Sequence, residues 1–549
     1  MLRPLFILLF LISLNNLKAQ ATFGTQLITN QAFEGYTLFS VHKKAYLIDN
    51  CGNVINEWES NYLPGNSVYL LPNGNILRAG RFETIDSPIQ FGGRGGIVEM
   101  FNWEGDVIWS YTYIGEEYRQ HHDAYPMPNG NVLILAATVI TNNDAIEAGR
   151  DPLKLGESTL FNEQIIEVEP FGTNSGNIVW EWNVIDHVIQ DYDASKNNFG
   201  DISDNPGKLD INFLNGLDSG SNWLHINSIQ YNEESDQIVI SSRRMCEFWI
   251  IDHSTTTAEA ASSNGGSYGM GGDFLYRWGN PMTYRQGNID DRKLFGQHFP
   301  YIIPSGLPNE NKIIVFNNGI GRTPLYSQVD ILKPLRTANG SYEYTQNTAY
   351  GPTDTYFSYP ETAPVDDSSF FSGALSSAQQ LSNGNILICE GTKGRFFEIN
   401  STNDIVWEYK IPVSHTTGLP FPDNSAETVS STTFRALKYS IDYEAFQGRD
   451  LTPSSPLEIN PDIDFCVEAL SANDFNNSTD ISIYPNPTSH TLNIESLFDI
   501  GKAEIYSPSG AKTLETTSKA INLEFLNNGI YFLKLYFDDK VIIKKIIKV

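Results

Sequence analysis

Nine histidines occur in the chain, and three of them stand at one position of an internal repeat. A turn of the Pro-Asn-Gly-Asn type recurs, and six residues ahead of it lie His122 (turn at Pro128), His225 (Tyr231 in place of Pro) and His298 (Pro304). Two further copies carry Asn66 and Ser376 there. A single histidine in a fold is ordinarily satisfied by backbone hydrogen bonds and does no chemistry. Three in register are another matter, because imidazoles titrate near neutrality and can serve as nucleophile, acid or base. Three histidines can also hold zinc, but no neighbouring carboxylate recurs with them, so no metal is expected. The third reading, beside three structurally satisfied histidines and a metal site, is catalysis on an anion, and it needs local positive charge. The same alignment pairs Arg243 with Arg81, and Arg244 follows directly. A guanidinium suits a tetrahedral oxyanion, since its planar fork donates two parallel hydrogen bonds. Asn227, two residues past His225, shares its face of a strand by the period of two and offers another donor. Arg81 reads instead as a surface ion pair.

Such a cluster requires elements that bring distant stretches of chain together. Two hairpin patterns alternate through residues 35–450. One is a polar turn, strand residues and an aromatic, as in Gly105-Asp106-Val107-Ile108-Trp109 or Asn403-Asp404-Ile405-Val406-Trp407. The other is an apolar strand, the Asn-Gly turn and a second apolar strand, as in Val68 to Leu77. Asn-Gly between strands is a strong hairpin signal. Two hairpins make a four-stranded sheet, and such sheets arranged radially leave only short, protected edges, the β-propeller solution. Six outer hairpins, five inner ones and a partial unit at Gly35 to Asp49 favour six blades, with seven left open. A β-helix or tandem sandwiches are the alternatives. In a propeller, a column at the start of the inner strands converges on the central channel. Alternation then turns His122 into the channel and adjacent His121 to the opposite face.

The 549 residues exceed one ordinary core, so more than one domain is expected. The net charge of −29 argues against nucleic acid and against an anionic membrane surface. It also repels anionic substrates at long range, which sharpens the need for arginines at any anion site. Residues 1–19 read as a signal peptide: Arg3, the apolar run Leu5 to Leu14, and Leu17-Lys18-Ala19 before Gln20. No stretch is long enough to span a bilayer as a helix. Cys51, Cys246, Cys389 and Cys466 contain no CxxC pair, and three disulfide connectivities are open. Residues 20–450 form the repeat domain, 451–478 read as a linker, and 479–549 show the strand alternation of a small antiparallel sandwich.

Two resemblances follow. Ile481-Ser482-Ile483-Tyr484-Pro485-Asn486-Pro487-Thr488, Asn528-Gly529-Ile530-Tyr531 and the basic ending Lys544-Lys545-Ile546-Ile547-Lys548-Val549 resemble the C-terminal sorting domains of type IX secretion. That implies export through the periplasm, the secretion machinery as partner, and a secreted or outer-membrane-surface protein. The second resemblance spans about Gly35 to Pro453. His121-His122-Asp123, Trp223-Leu224-His225-Ile226-Asn227-Ser228, Ile240-Ser241-Ser242-Arg243, Gly296-Gln297-His298-Phe299-Pro300 and Phe434-Arg435-Ala436 resemble the arylsulfate sulfotransferase family. The resemblance implies an all-β, six-bladed propeller that moves a sulfuryl group from a phenolic sulfate ester to a phenol. It implies no nucleotide sulfate donor and no cofactor. His298 would be the nucleophile, with His122, His225 and Arg243 as its catalytic companions; from their positions beside these residues, Asn227, Arg244 and His121 are the candidate substrate-binding residues. The alternative is a non-catalytic secreted propeller that binds a ligand or protein in its channel.

Overall fold

A computed structural model describes residues 23–549 apart from 84–86, 156–158, 216–219, 338–339, 363–369, 423–430, 460, 462–465, 467–480, 497–500, 508–511 and 537–540. The expected signal peptide and most of the expected linker lie outside the described residues. The chain divides into two compact units, Met1–Asp462 and Ile463–Val549.

The larger unit is all-β, and its repeats are antiparallel sheets. Six sheets of four or five strands are present among its described residues. The second to fifth each take four strands in chain order, starting from inner strands Leu63–Leu70, Tyr118–Pro126, Ile226–Asn232 and His298–Ile302. The first sheet joins Gly35–Val41, Lys44–Ile48 and Val54–Glu59 to the late strand Ala436–Ser440, which occupies the inner position. The sixth starts from Ser377–Gln380 and gains the early strand Thr25–Ile28 as its outermost member. Both ends of this unit are thus sewn into sheets begun by the other end, which covers edges that would otherwise be open.

Side chains tie each sheet to the next. The repeated tryptophan of the fourth strand is one such tie. Trp58 Nε1 donates to Asn102 O (2.8 Å), Trp109 Nε1 to Ser175 O (2.9 Å), and Trp180 Nε1 to Thr255 Oγ1 (3.1 Å). Trp278 Nε1 donates to Pro352 O (2.8 Å), and Trp407 Nε1 to Asn50 O (2.8 Å), which returns to the first sheet. An indole N–H is a donor that must be satisfied when buried, so each tryptophan fixes both the packing and the spacing of its neighbour. Between the fifth and sixth sheets the tie is Tyr301 Oη, which accepts from Gln380 N (2.9 Å).

The inner strands share one irregularity. Pairing shifts register near the start of the inner strands of the second to fifth sheets, at Pro64/Val68, opposite Ile134/Ala136, at Ile226/Ser228 and at His298/Tyr301. A left-handed residue sits beside each: Asn66 (φ 97°), His122 (φ 51°), His225 (φ 49°) and Phe299 (φ 53°), with Ser376 (φ 89°) in the sixth sheet. Positive φ is uncommon outside glycine, so its recurrence marks a designed kink rather than an accident.

The smaller unit has a three-stranded sheet (Ile481–Tyr484, Thr491–Ser496, Ala520–Asn522) and a four-stranded one (Lys502–Tyr506, Lys512–Thr516, Gly529–Tyr536, Val541–Lys548). Leu492, Ile494 and Ile521 of the first pack with Ile505, Leu533 and Leu535 of the second. The expected linker begins later than residue 451. Ser454 N donates to Val54 O (2.8 Å), and Glu458 accepts from Phe23 N and Gly24 N, so this stretch is tied to the larger unit. Cys246 and Cys389 are free and buried.

Candidate active site

The kinks gather the histidines. The rings of His122 and His225 meet edge to face with centroids 4.9 Å apart. Phe434, at the end of the first sheet's inner strand, lies 6.1 Å from His122 and 6.3 Å from His298. Phe91 touches His121 (4.8 Å), His122 (6.2 Å) and His225 (5.6 Å), forming a second apolar wall. The loop before the second sheet's third strand crosses close by, with His122 N donating to Gly93 O (2.7 Å). Arg243 stands at the end of the fourth sheet's second strand, its Nη2 3.4 Å from Gly373 O.

Hydrogen bonds decide which ring nitrogens carry protons. Asn318 Nδ2 donates to Ser372 O (2.6 Å) and Leu375 O (3.1 Å), which turns Asn318 Oδ1 toward His298 Nδ1 at 2.7 Å. An amide oxygen only accepts, so Nδ1 of His298 bears the hydrogen and Nε2 of the neutral ring keeps its lone pair. Asn222 Nδ2 donates to His225 Nδ1 (2.7 Å), leaving the proton of His225 on Nε2. His121 Nδ1 and His122 Nδ1 lie 3.0 Å apart, so one of them donates to the other.

All three channel histidines resist protonation. Burial, then Arg243, push His298 down to about 3, with Asn318 opposing them. Burial, then His225, His121, His298 and Arg243, hold His122 well below the usual imidazole range. Burial, then Arg243, His298, His121 and Arg244, do the same to His225. The site is a cluster of neutral bases beside a guanidinium, suited to receiving an anion rather than a cation. Among the described residues no three His, Cys, Asp or Glu side chains are grouped as a metal would require.

Some residues sit differently from the sequence reading. The alternation that turned His121 away from His122 fails because His122 is left-handed, and both rings lie together with centroids 5.2 Å apart. The register shift between Ile226 and Ser228 likewise breaks the period that paired Asn227 with His225. Asn227 Nδ2 donates to Gln297 O (2.8 Å), so it braces the backbone just before His298. In the fifth sheet the kink falls on Phe299, one residue beyond His298. Arg244 continues from Arg243 and its carbonyl accepts from Asn215 Nδ2 (2.9 Å). Arg81 pairs with Glu83, as the surface ion pair reading required.

Two residues went unnoticed in the sequence. Asn318 follows the second strand of the fifth sheet, with no motif to mark it. Glu163 lies in strand Leu160–Phe171, where it reads as an ordinary polar strand residue. Below the histidines, Asp123 Oδ2 accepts from Arg435 Nη2 (2.9 Å) and Asp123 Oδ1 from Tyr69 Oη (3.0 Å), joining three sheets in one buried network.

The arylsulfotransferase (ASST) family model matches residues 15–428. The chain belongs to the arylsulfotransferase family. A secretion system C-terminal sorting domain matches residues 482–549, which gives this family member a type IX sorting tail and implies export to the medium or the cell surface. No helix among its described residues is long and apolar enough to cross a membrane. No curated protein matches it. Among solved structures it is distantly similar to a protein of unknown function from Bacteroides caccae (11% identity, TM-score 0.37, covering 74% of this chain and 98% of that one). A putative 6-phosphogluconolactonase from Bacteroides fragilis is similar at 8% identity and TM-score 0.35 (75% and 99% covered). The periplasmic gluconolactonase PpgL of Pseudomonas aeruginosa is similar at 8% identity and TM-score 0.34 (89% and 96%).

Proposed function

We propose that this family member is a six-bladed β-propeller that transfers a sulfuryl group from a phenolic sulfate ester to a phenol through a sulfohistidine at His298. The observation that carries the reading is the fixed tautomer of His298. Its Nδ1–H is held by Asn318, so Nε2 is an unprotonated nucleophile inside a cluster of histidines and Arg243. The closed succession of six sheets, each tied to the next, supports the blade count.

Sulfuryl transfer, like phosphoryl transfer, passes through a loose transition state with charge on the peripheral oxygens, so positioning and electrostatics dominate. His298 Nε2 attacks sulfur in line as the bond to the phenolic oxygen breaks. Arg243 and the Nε2–H of His225 hold the sulfonyl oxygens, and His122 faces the departing oxygen. The sulfated ring carries its positive charge next to Asn318 Oδ1, which still accepts from Nδ1–H. A phenol acceptor then takes the sulfuryl group by the reverse path, giving ping-pong kinetics without a nucleotide sulfate.

Release of 4-nitrophenol from its sulfate ester should depend on added phenol, and double-reciprocal plots at several phenol concentrations should be parallel. The His298→Asn variant should lose the activity entirely. Release that ignores phenol, or that survives in His298→Asn, would overturn the reading and leave a hydrolase or a ligand-binding propeller.

A further inference from the structure

Behind His122 stands a line of groups that the transfer mechanism above does not use. His121 Nδ1 lies 3.0 Å from His122 Nδ1, and His121 Nε2 lies 2.9 Å from Glu163 Oε2. His121 is wholly buried and Glu163 nearly so. The other Glu163 oxygen accepts from Ile226 N (3.0 Å), the residue after His225, so the carboxylate is anchored to the wall of the site. Neither His121 Nε2 nor Glu163 Oε2 makes a hydrogen bond among the described residues, so their 2.9 Å approach is that of an ion pair. Phe91 closes the remaining side of His121. The charged and titratable groups that act on His122 and His225, at the front of this line, are each other, His121, His298, Arg243 and Arg244.

We propose that Glu163, His121 and His122 form a proton relay serving the phenolic oxygen at His122 Nε2. The inference rests on the sulfuryl-transfer reading and adds the route its proton takes. Before reaction His121 carries both ring protons beside the Glu163 carboxylate, and its Nδ1–H donates to His122 Nδ1. His122 is neutral, with its proton on Nε2. As the bond between sulfur and the phenolic oxygen breaks, its electron pair stays on oxygen and takes the Nε2 proton of His122. His121 passes its Nδ1 proton to His122 Nδ1. The products are a neutral phenol, sulfated His298, neutral His121 and His122 with its proton moved to Nδ1. The total charge of ester, His298, His121, His122 and Glu163 is −1 before and after. In the second half-reaction the acceptor phenol gives its proton to His122 Nε2, and the relay returns to its starting state.

The relay answers a difficulty in the site. A conventional general acid would have to be an imidazolium, and the surroundings of His122 oppose that charge. Exchanging tautomers keeps His122 neutral throughout. The relay places its one mobile positive charge on His121, 2.9 Å from the Glu163 carboxylate.

Glu163→Gln removes the charge but keeps an oxygen for Ile226 N. Proton delivery matters most for a poorly acidic phenol, so the loss should grow with leaving-group basicity. For sulfation of the enzyme by phenyl sulfate we expect a loss of about a thousandfold, against about tenfold for 4-nitrophenyl sulfate. Glu163→Asp, which restores the carboxylate, should recover part of the phenyl sulfate rate. Independently of any variant, the wild-type rate with phenyl sulfate should fall as a curved function of the deuterium fraction of the solvent, because two protons move together. Equal losses on both esters, or a straight-line dependence on deuterium, would overturn the relay while leaving sulfohistidine formation intact. If wild type takes no sulfuryl group from either ester, the parent reading fails and the relay falls with it.

Discussion

Asn318 governs His298 by choosing which nitrogen is nucleophilic, so the two residues should fail differently when changed. Asn318→Leu removes the acceptor for Nδ1–H and frees His298 to place its proton on Nε2. The sulfation rate should drop about a hundredfold while the fold survives, as measured by single-turnover release of 4-nitrophenol and by circular dichroism. The pH dependence follows from the same environment. Because burial and Arg243 push His298 down to about 3, its nucleophilic form persists well below neutrality. The sulfation step should therefore show no loss from His298 protonation between pH 7 and pH 5; a rate that falls tenfold per unit below pH 6.5 would contradict the assignment. Gly93 makes a third point at this scale. It adopts φ 81°, and a Cβ built there would lie 2.2 Å from His122 Nε2. Gly93→Ala should displace His122 and slow turnover with phenyl sulfate more than it lowers melting temperature.

At the level of the elements, the repeat is held by indoles and by charged ties between sheets. Trp109→Phe leaves Ser175 O without its donor and should cost about 1–3 kcal/mol, read from denaturant unfolding. His253 makes one of these ties, with Nδ1 2.8 Å from Asp236 of its own sheet and Nε2 3.1 Å from Glu167 of the preceding one. Burial lowers its affinity for a proton, but the two carboxylates outweigh it and raise it to about 9. A raised folded-state pKa stabilises fully below the unfolded value and is lost as pH climbs to about 9. The depressed channel histidines act in the opposite sense, losing stability as pH falls below their unfolded value. The melting temperature should thus decline on both sides of neutrality, and His253→Gln should flatten the alkaline decline alone. The hairpins and their Asn-Gly turns were legible because each copy carries its own local signal. The site was less so. Alternation fails at kinked residues, so the positions of His121 and Asn227 could not be read from a period of two. Asn318 and Glu163 enter through tertiary packing, which no local pattern announces.

For the whole molecule, a net charge of −29 surrounds a site that, on the proposed function, must attract sulfate esters. Arg243 and Arg244 supply the local cationic field. Exchanging Arg243 for Lys keeps the charge but loses the planar fork, and should reduce kcat/KM about a hundredfold. On the proposed function the two compact units separate chemistry from address. A chain ending at residue 478 should keep its specific activity once purified, yet remain in the periplasm instead of reaching the surface, as fractionation would reveal. The central claim concerns one nitrogen atom and is best tested by mass spectrometry. Protein treated with 4-nitrophenyl sulfate without acceptor, then digested under alkaline conditions, should carry a sulfuryl group on the peptide containing His298. Phenol should remove it, and His298→Asn should never acquire it. Turnover with no sulfuryl group on any histidine, or with the group on a different residue, would contradict the mechanism.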